Sequence, residues 1–122
     1  MTKLKLYDLD VSGNCYKVRL FLSLLDISYE QQSVDLMGGE QKSPEMLQQN
    51  PFGEIPVLVD GENIIRDSQA ILVYLAVREG REDWLPLNAS NLANVTKWLM
   101  VAENEIARGP GDARLHDKFG IQ

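Results

Sequence analysis

The sequence predicts an α/β domain followed by the first helix of an incomplete all-α domain. Three observations carry that expectation. Lys3-Leu4-Lys5-Leu6-Tyr7 alternates polar and apolar residues, as a strand does. Val18, Phe21, Leu22 and Leu25 then fall at i, i+3, i+4 and i+7, which is one face of a helix. Beyond Pro86 every periodic stretch is helical: Leu92, Val95, Leu99, Ala102 and Ile106 mark one stripe.

Taken in order, the first strand runs into a loop, Val11-Ser12-Gly13-Asn14, rich in helix-capping residues. The helix that follows leads to a weaker strand over residues 27–36, diluted by Gln31-Gln32-Ser33. Strand, helix, strand favours a parallel pair with a right-handed crossover. Met37-Gly38-Gly39 breaks the chain, and Ser43-Pro44 starts a short helix ending near Gln49, with proline at its favoured first position. Val57 to Val59 and Ile64 to Ile65 flank Asp60-Gly61, a strong hairpin signal. Asp67-Ser68 caps a helix carrying Ile71, Tyr74 and Leu75, ending about Arg78. These elements make a first domain over 1–79. A charged linker with Gly80 and Pro86 spans 80–89, and a truncated helical domain occupies 90–122. Ser90 or Asn91 can cap its long helix, and Gly109-Pro110 stops it. Leu115 and Phe119 suggest one more helical turn.

Composition narrows the function. The net charge of −6 argues against nonspecific nucleic-acid binding and against anionic membranes, both of which call for a basic surface. One cysteine excludes an internal disulfide and fits a reducing compartment. Met1-Thr2-Lys3 leads straight into a strand, without a signal peptide or long apolar run, so a cytoplasmic location is expected. The glycosylation-like triplets at Asn88 and Asn94 are then chance matches. One cysteine and one histidine cannot build a usual zinc site, so no metal is expected. Gly38-Gly39 lacks the Gly-Lys-Ser/Thr of a phosphate loop, and His116 reads as a surface residue. Trp84 and Trp98 read as core or interface anchors.

Residues 50–68 concentrate the binding signals. Pro56 cannot donate to a ladder, so it belongs at a strand start, and it leaves the Ile55 backbone free for an extended, peptide-like ligand. The helix start at Asp67-Ser68 offers unpaired N–H groups and a positive dipole end, a socket for a carboxylate. Each piece alone is commonly structural. Together they read as a site with a backbone edge and an anion socket.

Four ordered motifs carry a resemblance. They are Ser12-Gly13-Asn14-Cys15, Gln41-Lys42-Ser43-Pro44-Glu45, the run from Asn50 through Pro51, Phe52, Gly53, Glu54, Ile55 and Pro56 to Leu58, and Asp67-Ser68-Gln69-Ala70-Ile71. With the order βαβ, helix, ββ, helix, residues 1 to about 80 resemble the thioredoxin-like N-terminal domain of the cytosolic glutathione S-transferase superfamily, of the serine type. The resemblance implies glutathione as co-substrate, an electrophilic small-molecule partner and a homodimer. It implies that Ser12 holds the glutathione sulfur as thiolate and that Asn14 belongs to the binding residues. Lys42, with Gln41, would meet the glycine carboxylate. Ile55 would pair with the cysteinyl backbone, with Pro56 cis, Glu54 would belong to the binding residues, and Asp67 and Ser68 would bind the γ-glutamyl end. Glu54 stands where several classes of the family have Gln, and Asp67 is shorter than the Glu often found there.

The chemistry asks for a thiolate, because a free thiol with a pKa of about 8.5 is mostly protonated at neutral pH. A serine O–H and a helix start both favour the negative sulfur. Cys15 is the rival nucleophile, in a glutathione-dependent thiol oxidoreductase; its plainer reading is a small buried apolar residue. A non-catalytic interaction module of the same fold is a further alternative. Apolar residues on the Trp98 helix cover more than one stripe, which predicts missing neighbours. The chain is accordingly expected to be part of a longer protein, to associate through that helix, and to have little transferase activity alone.

Overall fold

The architecture comes from a computed structural model that describes residues 3–35, 38–51 and 53–119. Phe52 of the third motif, and Leu36 and Met37 after the second strand, lie outside the described residues. The chain divides into two compact units, Met1–Leu75 and Ala76–Gln122.

The first unit is built on a four-stranded sheet in the order β2-β1-β3-β4. Strand β1 (Leu4–Asp8) pairs in parallel with β2 (Tyr29–Ser33) and antiparallel with β3 (Val57–Asp60), which pairs antiparallel with β4 (Asn63–Arg66). The parallel pair encloses helix α1 (Gly13–Leu24), and α2 (Pro44–Gln49) lies between β2 and β3. Helix α3 (Ser68–Arg78) follows the hairpin. This is the thioredoxin-like arrangement.

Alternation along the strands sorts two cores. Leu4, Leu6 and Leu58 pack with Val18, Leu22 and Leu25 near α1, and with Ile71 and Leu75 of α3. Tyr7 and Val57 pack with Val34 and Met46. Successive strand residues face opposite sides, so one sheet receives helices on both faces. The second strand is shorter than its pattern predicts, and most of it is exposed, because its Gln-rich center offers little to bury. The hairpin turn also differs by one residue. Asp60 still pairs with Asn63, so Gly61 and Glu62 make the turn, and Gly61 takes the positive φ (61°) that its first position needs.

The second unit holds helix α4 (Ala89–Val101), a π-helical segment (Ala102–Gly111) and α5 (Asp112–Phe119). Two local expectations fail here. Asn88, rather than Ser90 or Asn91, caps α4, because its side chain reaches the Asn91 N–H at 3.0 Å. Gly109-Pro110 does not stop the helical path. Proline in an α-helix clashes with the carbonyl four residues back. The wider π pattern, seen where the Asp112 N–H reaches the Ala107 carbonyl, offsets that carbonyl and lets the chain continue. Trp98 is 61% exposed and Trp84 is 44% exposed, so neither is a core anchor. The Lys97 ammonium lies 4.9 Å from the centre of the Trp98 ring. His116 is exposed, as its tail position suggested.

Candidate functional site

Strand register gathers the predicted loops at one end of the sheet. Tyr7 pairs with Val57, and Val57 with Arg66. The chain leaves β1 toward Ser12, enters β3 from Ile55-Pro56, and leaves β4 into Asp67-Ser68. All three segments therefore emerge along the same sheet edge.

Ser12 is the N-cap of α1, with extended backbone angles (φ −78°, ψ 126°). Its Oγ accepts from the Cys15 N–H at 3.2 Å. Its own N–H donates to the Leu9 carbonyl at 3.0 Å, which closes the loop tightly. A hydroxyl that accepts through a lone pair keeps its proton for another partner. The cap and a sulfur-binding role are thus compatible.

Asp67 and Ser68 start α3. Asp67 accepts from the Ala70 N–H through Oδ2 at 3.1 Å and from the Ile71 N–H through its carbonyl at 3.0 Å. Its φ is 74°, a left-handed backbone that a short polar side chain tolerates better than a long one. Asp fits that conformation. Ser68 is buried, and its hydroxyl points to Asn14 Oδ1 at 3.5 Å. Lys17 Nζ donates to Gln69 Oε1 at 2.7 Å. These two contacts bind the first turns of α1 and α3 side by side, and so bring two positive helix ends together.

The third segment is shaped by Asn50. It is 2% exposed, its N–H donates to the Met46 carbonyl, and its Nδ2 donates to the Glu54 carbonyl at 2.8 Å. The Gly53 N–H donates back to the Asn50 carbonyl at 2.9 Å. The Ile55-Pro56 peptide is cis. The Glu54 side chain is exposed, while its carbonyl is engaged with Asn50. Lys42 ends a 3₁₀ turn over Glu40–Lys42 and lies against Gly53, where a Cβ would stand 3.2 Å from its Nζ. Gln41 is half-buried, and its Oε1 has no hydrogen-bond partner among the described residues. A carboxylate has no proton for that oxygen, so only the amide end of Gln41 can meet one.

Cys15 is fully buried, and burial first of all pushes its thiol from 9.0 up to about 11, with the Asp8 carboxylate adding to the rise against hydrogen bonds from Ser12 and Leu9. A reactive thiol needs the opposite, a lowered pKa and access. Cys15 is a packing residue here.

Sequence reasoning placed Asn50 in a motif but gave it no role of its own, although an asparagine before proline is a recognisable turn signal. It passed over Asp8, Arg19 and Gln31, which meet at the end of β1.

Known proteins share this fold. The model of the glutathione S-transferase N-terminal domain matches residues 6–83. A zeta-class glutathione S-transferase of Euphorbia esula is 46% identical over 84 residues, which cover 69% of this chain and 37% of that protein. The crystal structure of a glutathione S-transferase from Pseudomonas fluorescens superposes with a TM-score of 0.89 at 33% identity, over 96% of this chain and 57% of that one. A glutathione transferase homolog from Drosophila mojavensis, crystallised with bound glutathione, gives a TM-score of 0.82 at 34% identity, over 85% of this chain and 48% of that one. The chain spans less than half the length of the curated relatives it matches. With the family model covering most of the sheet, the helices packed on it and the cis-proline turn, the protein belongs to the glutathione S-transferase family through its N-terminal domain.

Proposed function

We propose that this chain binds glutathione and, as part of a transferase, holds its sulfur as thiolate on Ser12 for attack on an electrophilic small molecule. The observation that carries the reading is the Ser12 cap: Oγ accepts from the Cys15 N–H, which holds the hydroxyl at the N-terminus of α1. Lowering a thiol pKa by one unit takes about 1.4 kcal/mol of preferential stabilisation. One charge-assisted hydrogen bond is of that size. The thiol proton passes to solvent, the thiolate pair forms the new C–S bond, and the electrophile keeps or expels the displaced electron pair according to its class.

The remaining roles follow the three segments. Ser68 and Asp67, beside Asn14, take the γ-glutamyl end at the α3 start. Ile55, preceding Pro56, offers its backbone to the cysteinyl unit, and Glu54 contributes backbone rather than carboxylate. Lys42, with the Gln41 amide, takes the glycine carboxylate. We assign 1–79 to this binding domain, 80–89 to a linker and 90–122 to the start of a helical domain. Family membership supports a homodimer and a cytoplasmic location. The fully buried Cys15 thiol speaks against the oxidoreductase alternative.

Ultraviolet titration of glutathione bound to the protein tests the proposal. A thiolate appearing below the ordinary thiol range supports it. Binding with an ordinary titration would favour a non-catalytic module, and no binding would end the reading.

A further inference from the structure

The end of β1 carries a polar cluster that the binding reading leaves unused. Asp8 is fully buried, and its Oδ1 accepts from the Leu9 N–H at 2.8 Å and from the Arg19 guanidinium. Its Oδ2 accepts from Gln31 Nε2. The same guanidinium donates to the Leu9 carbonyl at 3.3 Å and to the Asp10 carbonyl at 3.0 Å. The Leu9 carbonyl is also the acceptor of the Ser12 N–H. One side chain on α1 therefore grips the backbone that leads into Ser12, while Asp8, itself held by Gln31, anchors that side chain.

Stability alone is a weak reason for such a cluster. Desolvating a buried ion pair offsets much of its attraction, and apolar groups of equal volume often do as well. A guanidinium supplies what apolar groups cannot, several donors in a rigid fork that fixes more than one acceptor at once. Here the acceptors are a carboxylate and two consecutive carbonyls of the 9–12 loop.

We propose that Arg19, oriented by Asp8, which Gln31 in turn holds, is a positioning residue that sets the Ser12 hydroxyl toward the sulfur of bound glutathione. The inference rests on the thiolate reading above and adds a residue to it that touches no substrate.

Arg19→Met removes the fork and the charge, whereas Arg19→Lys keeps the charge alone. Ultraviolet titration of bound glutathione should show the thiol midpoint rising by about one pH unit in both variants, tenfold less thiolate at a fixed pH below it. Glutathione affinity, read by calorimetry, should change by less than about threefold, since the contacts at both ends of the ligand remain. If Arg19→Met does not fold, Gln31→Leu, at an exposed strand position, should give a smaller rise of the same sign. A thiol midpoint unchanged in the folded variants, with only their stability lowered, overturns the inference, as does full rescue by lysine. A wild-type protein that binds glutathione without perturbing its thiol overturns the thiolate reading itself, and this inference with it.

Discussion

The Ser12 side-chain oxygen accepts from the Cys15 N–H at 3.2 Å, so the residue that caps α1 is also the one whose hydroxyl is proposed to meet the sulfur. The two roles can be separated. Ser12→Ala should lower stability by about 1 kcal/mol, the worth of a cap, and return bound glutathione to an ordinary thiol titration. Ser12→Asp keeps a capping acceptor, has no proton to give, and adds a repelling charge. Its denaturant midpoint should stay near wild type while the bound thiol titrates higher than in Ser12→Ala. A lowered thiol midpoint in Ser12→Asp would remove the hydroxyl from the mechanism.

Cys15 predicts an alkaline weakness. Its folded pKa of about 11 lies above the ordinary 9.0, so the unfolded chain loses the proton first as pH rises. Stability is at its full value below the lower value and falls as pH rises through the upper one, by roughly 2 to 3 kcal/mol. Tyr29 is also raised, chiefly by burial, and adds its own loss at higher pH. Denaturant melts of wild type and Cys15→Ala at several alkaline pH values isolate the cysteine part. The difference between them should shrink as the pH rises; a constant difference would mean that the thiol is not buried as described.

Gly53 should resist substitution. Its φ is 63°, and an added Cβ would meet Lys42 at 3.2 Å and Leu47 at 3.4 Å. Those atoms end flexible side chains and can shift, so the backbone sets most of the cost. Gly53→Ala should lose about 1 to 2 kcal/mol in a denaturant melt. Calorimetry should also show weaker glutathione binding, because Lys42 is displaced. Unchanged affinity in the folded variant would detach Lys42 from the glycine carboxylate.

Glu54 should tolerate replacement. Its carbonyl is engaged with Asn50, and its side chain is exposed. Glu54→Gln should bind glutathione as tightly or more tightly, since it removes a negative charge beside an anionic ligand. A large loss of affinity would show that the carboxylate receives a ligand donor, such as the γ-glutamyl ammonium.

Much of the site was legible in the sequence because its signals are local. Ser12 and Ser43 cap helices by bonds to residues three positions on, and Pro44 sits at a first helical turn. The Asp8 cluster was not legible, because Arg19 and Gln31 reach Asp8 across 11 and 23 residues of chain, and only the folded sheet brings them together. The hairpin was found one residue out of place, since either Asp60 or Glu62 can flank Gly61 and strand pairing makes the choice. Pro110 misled for the opposite reason. A sound local rule for α-helices does not hold where the backbone adopts a π pattern.

The central claim is that the Ser12 loop and the α3 start bind glutathione. Calorimetric titration of the folded chain with glutathione tests it most directly. The account predicts a saturable heat that falls when Ser68 is replaced by alanine, because the γ-glutamyl end then loses its hydroxyl partner. No heat at about millimolar glutathione, from protein shown to be folded, would contradict it.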